Sequence, residues 1–172
     1  MRFEIDKIDT SGVLERTYKF HEMSVDPDVA RVYLSSAIEA SRMQHNYIGT
    51  EHLLLGILSE PSGLELLSGL ITTQGEAGTL TLDWAREETS RLIERGARPV
   101  NLSKLSLTVR AAKVIDNGFE TIKQVGLRSI NMSVQTLALL DEIDGTSAQV
   151  LDNLCVNYDA FRRDLQRRVF GS

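Results

Sequence analysis

The sequence is short of cysteine, proline, aromatics and long apolar runs, and each shortage excludes something. Cys155 is the single cysteine of 172 residues. No internal disulfide can form, and a reducing cytoplasm fits that usage. Its neighbours Leu154 and Val156 predict a buried apolar thiol. Only three prolines interrupt the chain, which favours helices. No apolar run approaches the roughly 20 residues that cross a bilayer, and Met1 to Lys7 alternates charged and apolar residues, unlike a targeting segment. Positive charge is also scarce: the net charge is -5, so no broad basic surface for nucleic acid is expected. The expectation is a cytoplasmic protein, monomer or weak dimer, with neither nucleic acid nor membrane as partner.

Catalytic signatures are missing as well. No G-x-x-x-x-G-K-[ST] loop offers a phosphate cradle for ATP. No serine lies in a G-x-S-x-G elbow. Cys155 has no basic neighbour in sequence to depress its pKa, and Glu87 with Glu88 reads as a solvated helix face. The histidines His45 and His52 are seven apart, without cysteine or an H-E-x-x-H pattern. Packing and hydrogen bonding at a seam explain them better than a metal does. No catalytic residue, cofactor or metal ligand is assigned, and the chain reads as a non-enzyme.

What remains is a helical pattern. Phe3, Ile5, Val13, Tyr18 and Phe20 alternate with polar neighbours around the turn-forming "DTSG", which predicts a hairpin in an extension over residues 1–25. A lone hairpin is marginal in water, so it should lie against the helices. Asp26-Pro27 opens the first helix, since proline suits the first helical position. Val29, Val32, Tyr33, Ala37 and Ala40 follow at helical spacing to about Met43. Further helices are predicted over Thr50–Ser59, Leu64–Leu70 and Leu82–Glu94, with "EPSG" and "TTQGEAGT" as breakers. Trp84, in the first turn of the fourth, is expected in the core.

"RGARPVNLSK" reads as a linker, and helices return near Leu107–Val125, Ser133–Glu142, Ser147–Leu154 and Tyr158–Val169. A shift of 82 residues superposes the halves. Ala30 meets Ala112, Arg31 meets Lys113, Val32 meets Val114, and Ile48 meets Ile130. Leu55 then meets Leu137, Leu58 meets Leu140, and Gly63 meets Gly145. The sequence thus contains a diverged internal repeat whose halves should pack face to face. Repeat 1 spans 26–98, the linker 99–106 and repeat 2 107–172, with both repeats in one domain.

The stretch "HNYIGTEHLLLGIL", His45 to Leu58, resembles the signature of the Clp N-terminal repeat, the amino-terminal domain of ClpA- and ClpC-type unfoldases. "ARVYLSSAIEASRMQ" is similar to the first helix of that repeat. The resemblance covers residues 26 to 170 and implies an all-α, pseudo-twofold domain of two four-helix units. With no nucleotide loop and an end at Ser172, it implies a stand-alone form without the ATPase modules. In repeat 2 the second "GTEH" is replaced by Asn131, Met132, Ser133 and Val134.

Thr50 is a plausible N-cap, which sets Glu51 in the first helical turn. A carboxylate there meets the positive end of the helix, worth roughly 0.3–1 kcal/mol. The same geometry suits a ligand with both charges: free N–H groups for an anion and a carboxylate for a guanidinium. The resemblance implies phosphoarginine, with Glu51 and Thr50 as the ligand-binding pair. Ser133 stands where the second glutamate would be, so at most one such pocket is expected. Leu107, Thr108 and Ala112 would line a groove between repeats, with Leu107 replacing an aromatic and Ala112 a lysine. Arg162, Arg163, Arg167 and Arg168 read as a solvated face, partly paired with Asp159 and Asp164.

The leading expectation is therefore a protein- or peptide-binding module. Its partners would be a Clp ATPase or protease, or protein substrates, arginine-phosphorylated ones included. The alternative implied by the resemblance is sequestration of a small-molecule ligand, a cyclic peptide antibiotic. A purely structural dimer joined through the hairpin edge is a third.

Overall fold

The computed structural model describes residues 24–68, 70–72 and 78–171. Residues 1–23, where the hairpin was expected, lie outside the described residues. Strands β1 (Ser24–Val25) and β2 (Tyr47–Ile48) flank helix α1 (Pro27–Arg42), and α2 (Thr50–Ser59) and α3 (Pro61–Leu67) come after them. Next are β3 (Ile71–Thr72), β4 (Gly78–Thr79) and α4 (Leu82–Leu92), completing repeat 1. A short 3-10 turn at Leu102–Lys104 leads to β5 (Ser106–Leu107), α5 (Val109–Val125), β6 (Ser129–Ile130), α6 (Met132–Leu140), α7 (Thr146–Asn153) and α8 (Asp159–Phe170).

The helices form for local reasons. Pro27 comes directly after the N-cap Asp26 at the start of α1, where its missing N–H leaves no bond unmade. Val29, Val32, Tyr33, Ala37 and Ala40 make one buried stripe. Thr108 caps α5, its hydroxyl accepting from the Ala111 N–H at 3.2 Å. Gly126, at φ 74°, ends that helix in the left-handed region that glycine enters without penalty.

Helices α2 and α6 are different, because nearly every residue in them is buried. Thr50 through Leu58 and Val134 through Leu140 are all inside. A helix apolar on all sides needs neighbours on all sides. Accordingly α2 contacts α1, α3, α4, α5, α6 and α7, so it cannot be covered by its own repeat alone.

The repeat seen in the sequence holds at the level of elements. The 82-residue shift carries Ser24 onto Ser106, Pro27 onto Val109, Tyr47 onto Ser129 and Thr50 onto Met132, the first residues of β1, α1, β2 and α2 onto those of β5, α5, β6 and α6. The strands pair across the repeats: β1 runs parallel to β6, and β2 parallel to β5. Even the flanking bonds match, Asp26 N–H to Ile130 O at 2.9 Å and Thr108 N–H to Ile48 O at 2.9 Å. Charge obeys the same symmetry. Buried Glu60 binds Arg31 at 2.9 Å, and buried Glu142 binds Lys113 at 2.7 Å.

Several expectations are corrected. The third helix starts at Pro61, because "EPSG" opens it with proline at its first position and does not break it. The fourth stops at Leu92. Part of the "TTQGEAGT" loop pairs antiparallel, Ile71 with Thr79. The linker holds a 3-10 turn and β5, a structural part of repeat 1's β2 pairing. Cys155 is exposed, with φ 51°, so the chain turns its thiol outward after α7. Trp84 is 37% exposed, since Ala85, Glu88 and Thr89 form the buried face of α4. Asp164 does pair with Arg167 and Arg168, at 3.4 and 2.6 Å.

The central role of α2 sets a stability test. Leu55→Ala, at a fully buried position, should lower the unfolding free energy by about 2–5 kcal/mol in urea titrations. Leu64→Ala on the exposed face of α3 should change it by roughly 0.5 kcal/mol or less.

Candidate functional site

Three helix N-termini converge at the seam between the repeats. They belong to α2, capped by Gly49, to α5, capped by Thr108, and to α7, capped by Gly145. Between them lies a cleft of about 490 Å³. Thr50, Glu51, Thr108, Arg110 and Thr146 give it a polar lining, and Tyr47, Ile93 and Val109 an apolar one.

Thr50 is not the N-cap of its own helix. Gly49 holds that position, and Thr50 is the first helical residue. The Thr50 hydroxyl instead accepts from the Ser147 N–H at 3.2 Å. It therefore satisfies an otherwise orphaned amide at the start of α7, in the other repeat. Gly145 makes this approach feasible: a Cβ there would stand 2.8 Å from Thr50 Oγ1. The Ser147 hydroxyl beside it is buried and has no hydrogen-bond partner among the described residues.

Glu51 occupies the second position of α2 and is 3% exposed. Its carboxylate folds back over Gly49, where a Cβ would collide with it. It takes bonds from its own backbone N–H and from the Thr146 side chain. Among the described residues, no lysine or arginine forms an ion pair with it. Burial pushes its pKa up, against those two bonds.

Behind Glu51 runs a relay of two histidines. The Gly49 N–H donates to His52 Nδ1 at 2.9 Å. That fixes the tautomer of a neutral His52, whose Nε2–H then donates to His45 Nδ1 at 3.0 Å. His45 Nε2–H in turn donates to the Glu94 carbonyl at 2.9 Å. Tyr47 stacks on His45, with ring centroids 5.0 Å apart, and so ties the relay to the cleft wall. Burial, reinforced by His45, lowers the His52 pKa to about 3.

His45, Glu51 and His52 are metal-ligand types lying together, yet their geometry opposes one shared ion. Glu51 Oε1 faces His52 Nδ1 at 3.1 Å, while His45 faces Nε2 at the opposite end of the same ring. Both His52 nitrogens and both His45 nitrogens are already engaged.

Arg110 stands at the cleft's other side. It reaches Glu142 at 3.1 Å and Asp144 at 3.8 Å, with half its side chain exposed. Lys113, then Arg110, holds the Glu142 carboxyl below the usual range. The cleft thus offers a buried carboxylate for a cation, and the positive ends of helices with a guanidinium for an anion.

Known proteins share this fold. The family model described as Clp repeat (R) N-terminal domain matches residues 9–70 and 35–134. The chain belongs to the Clp repeat N-terminal domain family. The ClpA homologue of the Clp protease ATP-binding subunit from Brassica napus chloroplasts is 32% identical over 139 residues, 81% of this chain and 15% of that protein. Chaperone protein ClpC1 of Arabidopsis thaliana chloroplasts is 32% identical over the same length, 14% of its own. The chain therefore spans a small part of these relatives. The crystal structure of the ClpD N-terminal domain from Arabidopsis thaliana superposes with a TM-score of 0.66 at 21% identity, covering 84% of this chain and 96% of that one. A structure from a malarial protein secretion system gives 0.63 at 10% identity, over 85% and 95% of the two chains. The double Clp repeat, all-helical apart from short strands, is thus the fold.

Of the residues singled out from the sequence, Thr50, Glu51 and Thr108 line the cleft together. Leu107 pairs with Ile48 in β5, and Ala112 lies further along α5, on the same helix as Arg110. Sequence reading missed Arg110, Thr146, Tyr47, Ile93 and Val109. The one available signal was Gly145, already aligned with Gly63 as a turn, which announces the N-terminus that carries Thr146.

The relay and Glu51 predict opposing pH effects. The His52 pKa is depressed on folding, so its stabilising contribution is present above 6.5 and lost as the pH falls toward 3. That loss is about 1.4 kcal/mol per pH unit. The Glu51 pKa is raised, so the folded chain gains relative to the unfolded one as the pH falls through its folded pKa. Denaturation from pH 7 to 4 should show falling stability, and His52→Gln should flatten that limb. Glu51→Gln should raise the urea midpoint at pH 7, with the gain shrinking as the pH is lowered.

Proposed function

We propose that this Clp N-domain is a non-enzymatic protein- or peptide-binding module whose cleft receives a side chain carrying both a guanidinium and a phosphate. Phosphoarginine on a protein substrate has that chemistry. The observation that carries the reading is Glu51: a carboxylate 3% exposed, with no lysine or arginine paired to it among the described residues, at a cleft rimmed by three helix N-termini. Leaving a carboxylate in such a place is unfavourable for folding alone. A guanidinium would compensate it through a fork of two charge-assisted bonds. The phosphate would then meet the amides at the starts of α5 and α7 and the Arg110 guanidinium.

The pseudo-twofold supports a single pocket. The counterparts of Glu51, Thr50 and Arg110 are Ser133, Met132 and Asp28. Asp28 is paired with Arg31 at 2.5 Å, and Asp26 is bonded to Ser129. The second position therefore lacks both the buried carboxylate and the cation.

Acting through such a pocket, the module would serve as an adaptor or regulator of a Clp protease, or as a free-standing substrate binder. The single cysteine favours a reducing compartment, and we place it in the cytoplasm. Among the described residues no helix is long and apolar enough to cross a membrane.

Calorimetry with free phosphoarginine tests the pocket. Binding is expected for phosphoarginine and not for arginine or inorganic phosphate at the same concentration. Glu51→Gln should weaken it at least about tenfold, the loss of one charge-assisted fork, whereas Ser133→Ala should leave it unchanged. Equal binding by the Glu51 variant would rule the pocket out. A titration with a cyclic peptide antibiotic in the same cell tests sequestration.

A further inference from the structure

The cleft has an apolar rim that a lone charged amino acid would not use. Val109 and Ile143 are the two most exposed large apolar side chains among the described residues, at 87% and 62%. Single exposed apolar residues are ordinary. These two are not scattered, because both flank Arg110. Val109 precedes Arg110 in the chain and lines the cleft. Ile143 lies beside the cleft and not in its lining, between Glu142 and Asp144 in the chain, the two carboxylates that Arg110 reaches. Ile93, partly buried, lines the same cleft.

The repeat shows what is unusual about these positions. By the 82-residue shift, Val109 and Ile143 correspond to Pro27 and Pro61. Those prolines occupy the first turns of α1 and α3, where they start helices. In repeat 2 that duty is absent at Ile143, which lies in the turn before α7, and Val109 starts α5 without proline's fixed φ. Neither side chain is packed in the core. Both are β-branched and so stiff at χ1, which suits a fixed contact surface.

We propose that Val109 and Ile143 form a specificity surface for an apolar residue next to the charged residue held at Glu51, so that the cleft reads an extended client segment and not an isolated side chain. This rests on the pocket proposed above. Neighbouring residues of an extended chain advance about 3.3 Å each, so a flanking side chain falls at the rim when its neighbour occupies the cleft. The occupant is a peptide with an arginine-borne phosphate and an apolar flank.

Fluorescence anisotropy with labelled peptides decides it. Two peptides carry one phosphoarginine each, flanked by leucine in one and by serine in the other. The intact chain should bind the leucine-flanked peptide about tenfold more tightly, the yield of burying one apolar side chain. The Val109→Ser, Ile143→Ser double variant should bind both peptides alike. Its far-UV circular dichroism and its urea midpoint should stay those of the intact chain, which shows that it is folded. Equal binding of the two peptides by the intact chain, or a preference that survives in the double variant, would overturn the inference while the pocket stands. Absence of any phosphoarginine binding by the intact chain would remove the pocket, and the rim's role with it. Sedimentation of both proteins covers self-association: a dimer lost in the double variant, with peptide preference unchanged, would make the rim a contact between copies and refute its reading of clients.

Discussion

Helix α2 is too apolar to be covered by its own repeat, and that constraint organises the molecule. Each repeat supplies one helix buried on all sides and lacks the surface to bury it. The partner half provides that surface. The short strands record the same dependence in the backbone, since β1 and β2 pair with strands of repeat 2. Thr50 repeats it with a side chain, capping a helix that is not its own. Association of the halves is thus a condition of folding.

The cleft is a by-product of that association which the sequence has then adjusted. Bringing two repeats together sets helix N-termini side by side at the seam. Their partial positive charges would repel an unpaired cation and welcome an anion. Glu51 answers that field from within the protein, while Gly49 and Gly145 keep the backbone narrow enough for its carboxylate and for Thr50. Divergence then broke the symmetry. One seam retains glutamate and arginine, and its twin has closed its acidic groups onto Arg31 and Ser129.

Much of this was legible in the sequence. The spacing of Val29, Val32, Tyr33, Ala37 and Ala40 marked α1, and the 82-residue correspondence announced two units. The stretch from His45 to Leu58 marked the family and, with it, Glu51. The features that escaped were those decided by the other repeat. Two-residue strands carry no periodicity, so β1, β2, β5 and β6 left no pattern to read. Thr146 and Arg110 gain their meaning only when α5 and α7 meet α2. Proline after Glu60 looked like a stop and is a start, because the same ring serves either purpose according to the residues on its C-terminal side. Cys155 has apolar neighbours, yet a left-handed backbone turns it outward, and nothing in its local composition signals that turn.

The exchanged strands have one more implication. The halves grip each other through backbone pairs, and the stretch joining α4 to β5 adds to the grip, with Leu105 buried in the core and Val100 and Leu102 packed against it. It acts as a leash that keeps two pieces at high mutual concentration.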